Sequence, residues 1–197
     1  MFIISPILHA EAPHDVMVSS NVKLNAPSIH SNVTLTCSNR GGPTNTYEWR
    51  KDGIIFDGET NKTLSLNSVE VTSGGDYTCT VSNDAGMDST TTTLYIAPYI
   101  AVPLEEEIQA DNGSSVNVSC EADGFPLPTV NWVNRTNIVV ANTTLLKFSP
   151  VLVGHEGIYR CVATIVVNGS SIDATDEINL IGMVPFHCFL HTQYSRN

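Results

Sequence analysis

The sequence predicts an all-β protein built of two tandem β-sandwiches, and three observations carry that prediction. The chain repeats itself. Cys37, Trp49, Leu64, Leu66, Val69, Gly75, Tyr77 and Cys79 recur as Cys120, Trp132, Leu146, Phe148, Val151, Gly157, Tyr159 and Cys161, at an offset of 83 for the first two pairs and 82 for the rest. A single-residue gap aligns the two halves, and chance rarely places Cys, Trp, Tyr and Cys in register twice. Within each copy apolar and polar residues alternate with a period of two, the mark of strands with one buried face. No stretch sustains a helical period with caps at both ends.

In chain order, residues 1–15 form a leader or signal-like segment. Met1 to Leu8 is apolar, and Ala10-Glu11-Ala12 fits the small-x-small pattern that precedes a signal cleavage site, although a basic stretch is missing. The first domain is expected over 16–97. Val33, Leu35 and Cys37 alternate with Asn32, Thr34 and Thr36, and Tyr77, Cys79 and Val81 share an inward parity. Thr91 to Ile96 is β-branched and runs up to Ala97-Pro98, where the chain passes with almost no linker into the second domain, 98–181. There Val116, Val118 and Cys120 repeat the first alternation, Ile138 to Val140 reads as a short strand, and Tyr159, Cys161, Ala163 and Ile165 face inward. About seven short strands in roughly 80 residues is the density of a sandwich. Residues 182–197 match neither copy; Cys188 in that tail is an odd thiol, and with His187 and His191 it has only a fragment of a zinc-ligand spacing.

Composition narrows the partners. Nine Lys and Arg stand against 20 Asp and Glu, a net charge of −11, which repels phosphate backbones and anionic headgroups. Nucleic acid is therefore not expected as a partner, and no apolar run is long enough for a membrane span in this chain. Glu105-Glu106-Glu107 reads as a solvated edge strand, because three successive carboxylates on an extended chain point to opposite sides and do not converge on a calcium ion. His155-Glu156 opens like the zinc motif His-Glu-x-x-His but lacks the second histidine. No nucleophile elbow and no phosphate loop occurs. No catalytic residue, metal or cofactor is assigned, and the chain is not expected to be an enzyme.

Both copies carry Cys, then Trp, then Gly-x-Tyr-x-Cys, at Cys37, Trp49 and Gly75 to Cys79 and at Cys120, Trp132 and Gly157 to Cys161. The second also has Cys120-Glu-Ala-Asp-Gly-Phe-Pro-Leu-Pro-Thr-Val-Asn-Trp132, and the first Arg50-Lys51-Asp52-Gly53 and Leu64-x-Leu66-x-x-Val69. Across about 165 residues, Val16 to Leu180, this resembles the immunoglobulin superfamily, in its I-set (intermediate) type. The resemblance implies two immunoglobulin-like sandwiches, each with one disulfide between its sheets, Cys37–Cys79 and Cys120–Cys161, beside Trp49 and Trp132, with Tyr77 and Tyr159 in the core. The pattern departs at one position: the Asp usual two residues before the Gly is Ser73 in one copy and His155 in the other. This should remove a salt bridge at the base of each sandwich without endangering the fold.

Seven Asn-x-Ser/Thr sequons occur, at Asn32, Asn61, Asn112, Asn117, Asn134, Asn142 and Asn168. With this Asn, Ser and Thr content chance supplies roughly three. The excess points to a secreted or cell-surface glycoprotein. The resemblance implies an extracellular recognition or adhesion module that binds a protein, homophilically or heterophilically. The alternatives are a structural spacer or matrix repeat, or an intracellular cytoskeletal pair of such domains. Asn32 and Asn117 shield the sheet bearing the first cysteine of each domain. The opposite sheet presents Glu48, Arg50, Thr78 and Thr80, and in the second domain Asn131, Val133, Arg160 and Val162, so Arg50 and Arg160 are the candidate binding anchors.

Overall fold

A computed structural model of the chain describes residues 11–42 and 44–183. The leader-like residues 1–10 and the tail with His187, Cys188 and His191 lie outside the described residues. The chain divides into two compact units, one reaching Pro98 and including 124–127 and 165–172, the other comprising 99–123, 128–164 and the residues from Asp173 on.

The first unit contains β1 (His14–Ser20), β2 (Val33–Arg40), β3 (Thr46–Lys51), β4 (Ile54–Ile55), β5 (Thr63–Leu66), β6 (Gly75–Asn83) and β7 (Gly86–Leu94). They form two sheets, β1-β2-β5 and β4-β3-β6-β7, with every hydrogen-bonded pair antiparallel. The period-two pattern becomes burial. Val33, Leu35 and Cys37 of β2 and Tyr77, Cys79 and Val81 of β6 turn into one core with Trp49, Leu64, Val69, Leu94 and Ile96. β1 starts at His14, two residues inside the stretch assigned to a leader. It is held there by its ladder to β2 and by the Val16 N–H, which donates to Asp88 of β7 at 3.5 Å. Asp15 takes a positive φ of 53° where the β1–β2 register slips, so the strand bulges.

After β8 (Ile96–Ile100) come β9 (Glu107–Asp111), β10 (Val116–Ser119), β11 (Ala122–Phe125), β12 (Thr129–Asn134), β13 (Val139–Ala141), β14 (Leu145–Phe148), β15 (Gly157–Val167) and β16 (Ser170–Met183). The second unit pairs β10 with β14 and builds a five-stranded sheet in the order β13-β12-β15-β16-β9. Its core gathers Val116, Val118, Cys120, Trp132, Leu146, Val151, Tyr159, Cys161, Ile178 and Leu180. β9 runs parallel to β16, with Asn179 opposite Glu107 and Met183 opposite Asp111. That pairing carries β16 past residue 181, where the repeat ends in the sequence, because β9 supplies the ladder partner for 182 and 183.

The two sheets of each unit are joined covalently. Cys37–Cys79 and Cys120–Cys161 are formed, with Cα atoms 6.3 and 6.4 Å apart. Trp49 sits opposite Cys79 on β3 and Trp132 opposite Cys161 on β12, and both indoles are fully buried. Neither indole N–H is left unpaired: Trp49 donates to the Asn61 carbonyl at 2.9 Å and Trp132 to the Thr144 carbonyl at 3.3 Å.

The departure from the family pattern has a local solution. In both copies the residue that replaces Asp accepts a backbone N–H and so closes a 3-10 turn. The Ser73 hydroxyl takes the N–H of Glu70 at 3.1 Å, and Nδ1 of His155 takes that of Leu152 at 3.1 Å. Their carbonyls receive the core tyrosines: Tyr77 donates to Ser73 at 2.8 Å and Tyr159 to His155 at 2.9 Å. His155 also packs on Phe148, with ring centroids 4.8 Å apart, so it adds an aromatic contact where Asp would offer a carboxylate.

Burial, with the nearby Asp52 carboxylate, pushes the Tyr77 phenol up to about 12. Above about pH 10 the unfolded chain's tyrosine ionises while the folded one keeps its proton, so the unfolded state binds fewer protons and stability falls as pH rises through that window.

Two expected outcomes follow for the fold. The double variant Cys37→Ala/Cys79→Ala, which opens a loop with sequence separation 42, should lose about 4 kcal/mol of unfolding free energy in urea titrations, a large share of a small domain's stability. Tyr77→Phe should lose about 1 kcal/mol near neutral pH with the Ser73 hydrogen bond, and its stability should decline less steeply than wild type between pH 10 and about 12. A slope equal to that of wild type would show that Tyr77 does not set the alkaline limit.

Candidate functional site

The outer face of β4-β3-β6-β7 is assembled by strand parity. Trp49 points inward, so its neighbours Glu48 and Arg50 point outward; Tyr77 and Cys79 do the same for Thr78 and Thr80. Cross-strand register then sets Arg50 between Ile55 and Thr78, Glu48 beside Thr80, Thr80 beside Ser89, and Thr78 beside Thr91. Hydroxyl pairs stitch the face: Thr46 to Ser82 at 2.8 Å, Thr78 to Thr91 at 2.8 Å, and Thr93 to the Asp76 carboxylate at 2.7 Å. Such pairs hold side chains in fixed rotamers and give a firm, hydroxyl-rich surface.

Arg50 is ordered within that surface. Its Nε donates to Glu48 Oε1 at 2.8 Å and a terminal nitrogen reaches the Gly53 carbonyl at 3.4 Å. The Arg50 side chain is about two-fifths exposed, so it is held in place by these bonds while part of it stays open to a partner. Apolar area lies beside it in Ile55, 45% exposed on the edge strand β4; Ile54 stands opposite Lys51 and so takes the other parity, and the exposed Met87 shares the outer face farther along, opposite Ser82. A neighbouring tether is Asp52, whose carboxyl is held below its usual range by the Lys51 ammonium at 2.6 Å and by the Asp76 N–H at 2.9 Å.

The corresponding face of the second unit differs. Arg160 reaches Glu177 only at 3.9 Å. Val133, expected to face outward and open, is 9% exposed. It lies in register between Val139 of β13 and Arg160 of β15, whose side chains share its face and cover it, and β13 carries an extra residue opposite the Trp132–Val133 step. Asn131 and Val162, also expected outward, lie side by side and are half-buried, so this face offers less open apolar area than parity alone implies.

The sequons separate the two faces further. Asn32 immediately precedes β2 and Asn61 lies two residues before β5, both exposed and both in loops that lead into the β1-β2-β5 sheet. Asn117 stands on β10 opposite Lys147, exposed, and Asn112 is exposed in the turn after β9. Asn168, at a φ of 50°, shapes the turn between β15 and β16. Asn134 and Asn142, however, bracket β13 on the five-stranded sheet, the one that bears Arg160. None of the seven falls on β3, β4, β6 or β7. Asn134 is half-buried because its Oδ1 accepts the N–H groups of Thr136 and Ile138 and the Thr136 hydroxyl, at 2.8–3.0 Å, which knots the loop after β12.

An open groove at that end of the second unit is lined by Asn134, Arg135, Glu156, Tyr159 and Asn179 among others. Its polar groups include a carboxylate, a guanidinium and a phenol that already donates to the His155 carbonyl, an arrangement without a paired nucleophile and base. Among the described residues no cluster of His, Cys, Asp and Glu is disposed to hold a metal ion. Glu105, Glu106 and Glu107 are all exposed at the edge formed by β9.

The repeat, the paired sheets, the disulfide and the buried tryptophan of each unit coincide with a known family model, described as immunoglobulin domain, which matches residues 16–83 and 97–164. The chain belongs to the immunoglobulin-domain family. Relatives by sequence include mouse (Mus musculus) hemicentin-2, 32% identical over 145 residues, covering 66% of this chain and 3% of that protein. Human (Homo sapiens) immunoglobulin superfamily member 10 is 31% identical over 161 residues, covering 68% and 6%. Mouse neural cell adhesion molecule 1 is 28% identical over 176 residues, covering 75% and 16%. The chain therefore spans a small part of the length of these relatives. Among solved structures, the eight N-terminal immunoglobulin domains of Down syndrome cell adhesion molecule superpose with a TM-score of 0.53 at 24% identity, covering 88% of this chain and 25% of that one. Insect hemolin superposes at 0.56 with 21% identity, covering 91% and 49%. At that identity the superpositions establish the immunoglobulin fold alone. Among the described residues no helix is long and apolar enough to cross a membrane.

The immunoglobulin face around Arg50 should be a clean target for mutagenesis. The Arg50–Glu48 pair is partly solvent-exposed, and such pairs contribute at most about 1 kcal/mol. Arg50→Ala is expected to leave the urea midpoint nearly unchanged, so that a loss of binding reports on contact with a partner, whereas Arg160→Ala, which uncovers Val133, is expected to lower it slightly.

Proposed function

We propose that the chain is a non-enzymatic, extracellular recognition module that binds another protein through the outer face of β4-β3-β6-β7. One observation supports this above the others: no sequon lies on the strands of that face, whereas Asn32 and Asn61 adjoin β2 and β5 of the opposite sheet. Glycans are bulky, and a surface crowded with them is poor ground for a protein interface. The open face instead combines an ordered guanidinium with exposed Ile55 and Met87, a mixture of charge and apolar area suited to an interface. Neural cell adhesion molecule 1 among the relatives supports the same reading. Arg50 is the anchor and Glu48 positions it; Arg160, on a face bracketed by Asn134 and Asn142, is the secondary candidate.

The test is expression in a glycosylating secretory host followed by binding of the purified chain to cells and to extracellular-matrix protein. The secreted chain is expected to exceed its bare mass of 21.3 kDa by several glycans. Arg50→Ala should weaken binding by at least about 1 kcal/mol, with a smaller loss for Arg160→Ala. A secreted chain of bare mass would favour the intracellular reading. Unchanged affinity in both variants would move the site to the loop tips or leave a spacer.

A further inference from the structure

Two stretches of the chain read alike, Asn112-Gly113-Ser114-Ser115 and Asn168-Gly169-Ser170-Ser171, and no other asparagine is followed by glycine. An Asn-Gly pair is chemically labile, because glycine has no Cβ to shield its backbone nitrogen from the preceding carboxamide. Attack by that nitrogen on the carboxamide closes a succinimide ring and expels ammonia. The shared local sequence gives both pairs nearly the same intrinsic reactivity. Any difference between them belongs to the fold.

Access does not separate them: Asn112, Gly113, Asn168 and Gly169 are all exposed, and the space where a side chain would begin is open at both glycines. The backbone amide does. The Gly113 N–H donates to the Val151 carbonyl at 2.8 Å, and the Val151 N–H donates to the Ser114 carbonyl at 2.7 Å. Val151 is a core residue, 2% exposed, so little water reaches its carbonyl to replace a lost donor. The Ser114 N–H closes the same turn on the Asp111 carbonyl at 3.0 Å, and the Asn112-Gly113 peptide is clamped. Asn168 and Gly169 instead form the two-residue loop between β15 and β16, with φ of 50° and 78°. Two positive φ values mark a type I′ turn, which Asn-Gly favours. Among the described residues the Gly169 N–H donates to no carbonyl, so its nitrogen is free to turn toward the Asn168 side chain.

We propose that Asn168 is a site of spontaneous deamidation in the folded chain, and that the hydrogen bond to Val151 spares Asn112. The Gly169 nitrogen gives its proton to hydroxide and bonds to Cγ of Asn168. The bond from Cγ to Nδ2 breaks, and ammonia leaves with a proton taken from water. A second water then opens the succinimide: at Cγ it yields aspartate, and at the backbone carbonyl it yields isoaspartate, whose main chain runs through Cβ and Cγ. Water is the only net co-reactant. Either product adds a carboxylate, and isoaspartate also lengthens the backbone of a turn that has only two residues. The nitrogen that leaves is the one a glycan would occupy, so the reaction belongs to copies without a glycan at Asn168. The inference is independent of the secretory reading above.

The experiment uses the whole chain exported to a bacterial periplasm, where disulfides form and Asn168 receives no glycan. The folded protein, and the same protein unfolded in concentrated urea with reductant, are held at mildly alkaline pH. Peptide mapping by mass spectrometry then follows aspartate and isoaspartate at both positions. In the folded protein Asn168 should convert at least about tenfold faster than Asn112, the order of factor that one buried hydrogen bond sets. In urea the two should convert at similar rates. The rate at Asn168 should rise with pH, as loss of the Gly169 proton requires. Equal conversion at the two positions in the folded protein overturns the proposal, and so does an Asn168 that is inert there while it converts in urea. A preference for Asn168 that persists in urea also overturns it, since flanking residues and not the Val151 bond would then set the difference.

Discussion

Each unit depends on one constraint, the closure of two sheets by a disulfide against a buried tryptophan. The Cys37–Cys79 and Cys120–Cys161 bridges fix the gap between sheets, and Trp49 and Trp132 fill it. A sandwich of under 100 residues buries a modest fraction of its surface and has little margin against chain entropy, so a covalent tie across the core counts for much. Once that tie sets which strand faces lie inward, parity sets the outward faces too. The site around Arg50 is thus a by-product of packing Trp49: an indole pointing in on β3 obliges Glu48 and Arg50 to point out.

The same economy governs the polar groups of the core. The indole N–H of each tryptophan and the hydroxyl of each core tyrosine end on a backbone carbonyl in equivalent places of the two units. These bonds orient large rings in a tight space and leave no buried donor orphaned, which is why the tyrosine and the turn two residues before the glycine act together. Substituting Ser73 or His155 for the usual Asp is tolerated because what the turn requires is a side-chain acceptor for a backbone N–H. A hydroxyl oxygen and an imidazole nitrogen meet that requirement as a carboxylate would. The lost charge is not needed for the fold.

The two units, alike in core, differ on their surfaces. In the first, an ordered Arg50–Glu48 pair lies among hydrogen-bonded hydroxyls beside exposed Ile55, and the sequons adjoin strands of the opposite sheet. In the second, sequons flank the sheet that bears Arg160, and Val133 is covered by its neighbours. A repeated architecture thus offers two unequal faces. The asymmetry arises from residues that the core does not constrain, since outward positions are free to vary so long as inward ones keep their volume.

The repeat of Cys, Trp, Tyr and Cys, the alternation through β2, β6, β10 and β15, and the seven sequons are all legible in the amino-acid order, because strand periodicity and residue chemistry are local properties. From them come the fold class and the direction in which Glu48, Arg50, Thr78 and Thr80 point, while the bridges follow from the family resemblance that the Cys, Trp and Tyr pattern carries. The burial of Val133 is not local: it depends on the extra residue in β13 and on Arg160, three strands on in sequence but adjacent in register. Nor is the parallel pairing of β9 with β16, whose partners Glu107 and Asn179 lie far apart along the chain. The sequence by itself determined which residues face inward; only the tertiary structure decided which outward residues are open, because exposure depends on what the neighbouring strand places beside them.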